Sequence, residues 1–191
     1  MQFGTKAKYL LLACLLLCFS AFSQSKKDIK KNKVKSVTVN KTFTRDGKEI
    51  TLKDTYDKYD ADGNLIEEIN YNDSGIVKLH ETYQYNKDGD KTEEVHYNSE
   101  GKIKKKLATK YNSNGDKIEE AEYDGAGALV EKNMFSYNAN GDRTAEITLD
   151  ASSAVTKKVT NLYDNKGMKT ERRTYDGKNN LLSVRKFTYE F

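Results

Sequence analysis

The sequence predicts an all-β fold: an antiparallel β-hairpin repeat meander of about 12 strands, laid out as an elongated, coiled, single-layer sheet. The motif Tyr-(Asp/Asn)-x-x-Gly, or a worn copy of it, begins at Tyr59, Tyr71, Tyr85, Tyr97, Tyr111, Tyr123, Tyr137, Leu149, Tyr163 and Tyr175. The starts alternate a shorter step, as from Tyr59 to Tyr71, with a longer one, as from Tyr71 to Tyr85. The unit that recurs therefore runs from Tyr59 to Tyr85 and holds two turns and two arms, the mark of a repeat architecture. The arms, such as Asn64 to Asn70 and Ile76 to Gln84, hold no proline and alternate in character, so they read as strands.

Each motif is a turn with a mechanism. In Tyr85-Asn86-Lys87-Asp88-Gly89-Asp90, Asn86 suits the first position of a type I turn and Gly89 the left-handed position after it, the combination that closes a three-residue hairpin with a bulge. Adding worn turns at Arg45-Asp46-Gly47 and Ala151-Ser152-Ser153 gives 11 turns and 12 strands. Simple pairing about Asp88 sets Tyr85 opposite Lys91, Glu81 opposite Val95 and His80 opposite His96. That rule preserves residue parity along the chain, so it places every repeat tyrosine on one odd-numbered face with Leu65, Ile69, Val95, Leu107 and Phe135. The even face is then polar, with Lys106 opposite Glu94 and Glu122.

The alternation of short and long steps also moves each turn two residues along the strand direction for every two strands, so the sheet is sheared. With right-handed twist the result is a coiled open strip. The alternative, a closed barrel, would have an interior poorly filled by an odd face interrupted at Glu67, Glu93, Lys105 and Arg173.

The ends read differently. Residues 1–23 read as a signal peptide, with Lys6 and Lys8 before the apolar run Leu10 to Phe19 and small residues at Ala21-Phe22-Ser23. Residues 24–35 read as a basic flexible leader and 36–191 as the β-hairpin repeat domain. The apolar run falls short of the roughly 20 residues a transmembrane span needs. An alternative lipobox, Leu11-Leu12-Ala13-Cys14, would instead anchor the chain by a lipid on Cys14. Both cysteines, Cys14 and Cys18, lie in the segment read as a signal peptide, which leaves the repeat domain without disulfides or thiolate metal ligands. The 33 Lys and Arg against 29 Asp and Glu give a formal net charge of +4, and setting aside Lys6 and Lys8 brings it nearer neutrality. Global charge gives no argument for nucleic acid as a partner.

Reacting groups in a recognisable arrangement are missing from the sequence. Asp60-Ala61-Asp62-Gly63-Asn64 has the look of a calcium loop, but the first ligand position falls on Lys58, and the turn reading accounts for every residue. His80 and His96 lack a third ligand, so no metal site is expected. Glu67-Glu68, Glu93-Glu94 and Glu119-Glu120 are strand neighbours that point to opposite faces and cannot form carboxylate dyads. The expectation is no catalytic residue and no cofactor. The candidate binding face is the tyrosine row Tyr71, Tyr85, Tyr97, Tyr111, Tyr123, Tyr137 and Tyr163, which either stiffens a sheet short of core or offers aromatic platforms to a polymer. Lys102, Lys104 and Lys106 form a candidate contact for anions.

Tyr56-Asp57-Lys58-Tyr59-Asp60-Ala61-Asp62-Gly63, Tyr83-Gln84-Tyr85-Asn86-Lys87-Asp88-Gly89 and Leu162-Tyr163-Asp164-Asn165-Lys166-Gly167 resemble the YD repeats of Rhs-type proteins, over about Tyr56 to Tyr189. The resemblance implies a spiralling, non-catalytic β-strip, in some members associated with carbohydrate. The period here is longer than the usual unit and no toxin tip follows, so the toxin-shell role does not carry over. There is a weaker similarity to MORN-like hairpin repeats, and the leader resembles those of exported Bacteroidetes-type envelope proteins. The expected function is an exported, periplasmic or extracellular non-enzymatic scaffold that contacts envelope protein or polysaccharide. The alternative is a glycan-binding module using the tyrosine face.

Overall fold

The structure, a computed structural model, describes residues 25–190. The signal-peptide and Cys14 lipidation expectations lie outside those residues. Twelve strands form one open antiparallel sheet in strict chain order: β1 (Ser36–Arg45), β2 (Lys48–Tyr59), β3 (Leu65–Tyr71), β4 (Val77–Tyr85), β5 (Lys91–Tyr97), β6 (Ile103–Tyr111), β7 (Lys117–Asp124), β8 (Leu129–Tyr137), β9 (Arg143–Asp150), β10 (Val155–Tyr163), β11 (Lys169–Asp176) and β12 (Leu181–Lys186). The meander is as predicted, and the barrel alternative is excluded because β1 and β12 remain edges.

The turns form as their residues dictate. Gly89 N donates to Asn86 O at 3.1 Å and Asn86 N to Asp90 O at 3.0 Å, while Asn86 Oδ1 accepts from the backbone N–H groups of both Asp88 and Asp90. The fifth motif position is left-handed throughout, at φ +87° for Gly89 and, where the glycine is worn away, at +67° for Ser153 and +65° for Asn179.

The simple-pairing register is overturned. Tyr85 does face Lys91, but the next pair is Gln84 with Glu93, then Tyr83 with Glu94, Thr82 with Val95 and Glu81 with His96. Thr92 is the unpaired extra residue of a second β-bulge, and an equivalent shift adjoins the first motif residue of every repeat hairpin from Tyr59 to Tyr175. Each bulge reverses parity between neighbouring strands, so odd residues of β4 share a face with even residues of β5 and odd residues of β6. The shear survives: Glu81, His96 and Lys105 are consecutive cross-strand neighbours, so the residue of β6 level with Glu81 is Lys105 and not its repeat equivalent, Leu107.

A single-layer sheet buries little. Among the described residues the buried apolar side chains are Ile29, Val95, Ala121 and Val159. Ile29 belongs to a short helix, α1 (Lys26–Lys31), within the stretch read as a flexible leader. Ser25 caps it by accepting from Asp28 N at 3.2 Å. One apolar residue in a lysine-rich segment holds it down, and a Cβ at Gly63 would stand 2.7 Å from Lys26 O, so the helix lies directly over the Asp60–Asn64 turn. No helix among the described residues is long and apolar enough to cross a membrane.

Candidate functional site

The bulges sort the tyrosines onto two faces. Tyr59, Tyr85, Tyr111, Tyr137 and Tyr163 share a face with Glu81 and Glu94, whereas Tyr71, Tyr97, Tyr123 and Tyr175 lie on the opposite one with His80, Lys106 and Lys158. The predicted seven-residue row is therefore two rows. In the first, the hydroxyls of Tyr85, Tyr111, Tyr137 and Tyr163 donate to the carbonyls of Leu65, Lys91, Lys117 and Arg143 at 2.7 to 2.9 Å. Those carbonyls open β3, β5, β7 and β9, just beyond the last ladder pair with the following strand, and the phenols satisfy them. In the second row, Lys53, Lys106 and Lys158 lie 5.6, 5.4 and 5.9 Å from the ring centres of Tyr71, Tyr123 and Tyr175.

The faces also differ in charge. On one, a straight cross-strand row runs Asp57, Glu68, Glu81, His96, Lys105, Asp124, and the next runs Tyr83, Glu94, Leu107, Glu122, Glu131, Asp150. This is the carboxylate face. The other carries Lys58, Lys106, Lys110, Lys132 and Lys158, with Glu67, Glu93 and Glu119 among them, and is the lysine face.

The densest cluster of ionisable groups sits on the carboxylate face across β3 to β5. His96 Nδ1 is 2.7 Å from Glu81 Oε1, and its Nε2 is 2.7 Å from Glu94 Oε1, the latter contact off the direction of a hydrogen bond. Tyr83 donates to Glu81 at 2.7 Å and Glu68 at 3.3 Å, and Lys91 donates to Glu94 Oε2 at 2.7 Å. Burial first, then the Glu81 carboxylate, drives the Tyr83 phenol pKa far up. Burial would also raise the Glu94 carboxyl, but Lys91 and His96 together hold it below its ordinary value. Glu81, Glu94 and His96 place ligand atoms within 4.8 Å of one another and could hold a divalent cation. As it stands, both imidazole nitrogens already face carboxylates and Lys91 compensates the outer oxygen.

The predicted His80–His96 pair does not exist. His80 is on the lysine face, stacked 4.4 Å from Tyr97 and 3.0 Å from Glu67. The lysine pairing changes for the same reason: Lys106 is opposite Val95 and Tyr123 and reaches Glu93 at 3.4 Å, while Glu94 lies behind it on the carboxylate face. Lys102 pairs with Glu100 in the turn at 3.0 Å, and Lys104 is a bulge residue, so the three predicted anion contacts are brought to one end of β6 in three different settings.

Sequence reasoning missed the Glu68–Glu81–Glu94–His96 cluster, which exists only in the bulged register. A signal for that register was present. Lys91 and Glu94, Lys117 and Glu120, and Arg143 and Glu146 are opposite charges three apart, which an ideal strand sends to opposite faces, yet they pair at 2.7, 2.6 and 3.9 Å.

No protein-family profile and no curated protein matches the chain. Among solved structures, the fold superposes on a crystal structure of TcdB2-TccC3-Cdc42 with a TM-score of 0.59 at 15% identity, over 79% of this chain and 8% of that chain. TcdB2-TccC3 without its hypervariable C-terminal region aligns at a TM-score of 0.35 and 12% identity, over 86% of this chain and 10% of that one. A porin-like protein from Bacteroides uniformis aligns at 0.31 and 13%, over 74% and 78% of the two chains. At these identities the first likeness establishes the fold alone, that of a β-repeat protein.

Proposed function

We propose that this is an exported, non-enzymatic β-repeat scaffold of the YD (Rhs-type) kind, which makes protein or surface contacts at the bacterial envelope by presenting two chemically unlike faces. One observation carries the reading: the hydroxyls that recur once in every repeat unit are spent inside the sheet, each on the first carbonyl of the preceding strand. Their regularity is thereby explained without a ligand, since a sheet lacking a second layer needs side chains to satisfy and stiffen its margins.

The alternative, a glycan-binding module, rests on Tyr71, Tyr97 and Tyr123, whose rings lie on the face opposite that ladder. Passing the wild-type chain over immobilised neutral and acidic polysaccharides separates the two. The scaffold reading expects no saturable retention. Saturable retention that disappears in Tyr97→Ala with Tyr123→Ala, while the circular dichroism spectrum is kept, would replace it with the glycan reading.

A further inference from the structure

The two long margins of the sheet are chemically unlike. Where the first tyrosine row ends, the residues opposite it are Leu65, Lys91, Lys117, Arg143 and Lys169. Where the second ends, they are Val77, Ile103, Leu129, Val155 and Leu181, again one in every repeat unit. The bulge puts each of these on the same face as the residue after it, as the Lys91–Glu94 contact shows for its own margin. The apolar margin is therefore reinforced by Val130 and Leu182. Much of it stands in solvent: Ile103 is 46% exposed, Val155 43%, Leu181 54% and Leu182 63%, while Val77 and Leu129 are half-buried. Two of its turns are small and apolar or weakly polar, those after β7 and β9 being built of Gly125, Ala126, Gly127, Ala128 and of Ala151, Ser152, Ser153, Ala154, while those after β3, β5 and β11 carry Asp73, Glu100, Lys102 and Lys178.

From β4 to β12 this row is about 40 Å long, at about 4.8 Å per strand. An exposed apolar strip of that length marks an interaction site. Directly opposite these residues on the same face stand Tyr71, Tyr97, Tyr123 and Tyr175, with the ammonium groups of Lys53, Lys106 and Lys158 against three of those rings, Lys106 also reaching Glu93 at 3.4 Å. Aliphatic tips beside phenols and lysines on one face are the side chains a lipid–water interface accommodates, at the acyl boundary, the carbonyl level and the anionic headgroups.

We infer that this margin docks edge-on to an anionic lipid surface. The inference rests on the scaffold reading and names the partner of one of its faces. A second copy of the chain fits less well, because lysines outnumber the glutamates Glu67, Glu93 and Glu119 on this face, and self-pairing through it would bring two surfaces with the same excess of positive charge together. The acidic groups near the margin are already engaged: Asp124, Asp150 and Asp176 accept two turn N–H groups each, Glu100 pairs with Lys102, and Asp73 with Lys41.

The test is co-sedimentation of the purified chain with vesicles of phosphatidylcholine alone and of phosphatidylcholine mixed with phosphatidylglycerol. Binding to the mixed vesicles is expected, weakening with added salt. Ile103→Ser with Leu182→Ser should lower it at least about tenfold, since two exposed aliphatic side chains lose their burial, while Ile118→Ser on the carboxylate face leaves it unchanged; circular dichroism checks that each variant folds. No binding, equal binding to both vesicles, or binding untouched by the double substitution (which would trace it to the lysines of α1) overturns the inference. So does self-association that the double substitution abolishes. None of these outcomes bears on polysaccharide retention, so the scaffold reading stands or falls separately.

Discussion

The phenol of Tyr111 donates to the carbonyl oxygen of Lys91 at 2.9 Å, across twenty residues of chain and onto the neighbouring strand. Tyr85, Tyr137, Tyr163 and Tyr189 repeat that bond at the same sequence separation, so the period of the repeat is a period of hydrogen bonds as much as of turns. Lys91 opens β5 beyond the last pair that β6 forms with it, and without the phenol its carbonyl would have no strand partner.

Tyr111→Phe should therefore cost about 1 kcal/mol of stability, the usual net worth of such a bond. Tyr123→Phe, on the opposite face and against Lys106, gives up no carbonyl contact of this kind and should cost clearly less. Urea midpoints of the two variants check this, and equal midpoints would remove the staple role assigned to the first row.

The turns separate two uses of glycine that look alike in the sequence. Gly127 has φ +85° and open space where a Cβ would go, so its use is conformational. Gly125 has no left-handed backbone, yet a Cβ there would run into the Ile103 carbonyl, so its use is close approach. Gly125→Ala should destabilise by about 1–3 kcal/mol through forced displacement of that backbone. Ser153→Gly, at φ +67° in a worn turn, should instead stabilise by up to about 1 kcal/mol. Thermal midpoints moving in opposite directions are the expected outcome.

Alkali should unfold the sheet sooner than acid–base balance alone would suggest. Burial and then Asp57 push the Tyr59 phenol up to about 12, and burial is also the leading cause of raised values at Tyr83, Tyr85, Tyr111 and Tyr163. A phenol whose pKa is raised by folding is favoured in its neutral form. Its contribution is complete below the ordinary value of about 10 and is lost as pH climbs through the folded value. Stability should hold to about pH 10 and fall above it, and Tyr59→Phe should blunt the fall. Urea midpoints at a series of alkaline pH values read this directly.

The hairpin count was legible because turns are written in side-chain chemistry. Asn86 must accept two turn N–H groups and Gly89 must go left-handed, and few residues do either. The second bulge is written in no residue type: its extra position holds Ile66, Lys78, Thr92, Lys104, Ile118, Val130 and Thr144 in successive hairpins. It follows from backbone geometry next to the turn. One unmarked residue per hairpin moved every second tyrosine to the other face, dissolved the His80–His96 pair and assembled the His96 cluster. The 24–35 segment turns on a detail of the same scale, since within it a single buried Ile29 accompanies the short helix α1 among lysines that read as a solvated tail.

The bulged register can be tested by cross-linking from Gln84. In the structure Gln84 faces Glu93 on the lysine face and donates to its Oε1 at 3.0 Å, whereas Thr92 is displaced to the other side by the bulge. Unbulged pairing about Asp88 would set Gln84 opposite Thr92 instead. Directly opposed strand residues have Cα atoms about 4.5–5.5 Å apart, inside the range a disulfide bridges, while side chains leaving opposite faces cannot meet however close their backbones come. The only cysteines in the chain, Cys14 and Cys18, precede Gln24, so a chain begun at Gln24 provides a clean background. Gln84→Cys with Glu93→Cys should oxidise readily under mild conditions and leave the spectrum unchanged. Gln84→Cys with Thr92→Cys should stay reduced, or oxidise only on partial unfolding. Thiol titration before and after oxidation reads both. The reverse result would restore the simple register in this hairpin and put Tyr85 and Tyr97 on one face, because the parity of β5 relative to β4 hangs on that one residue.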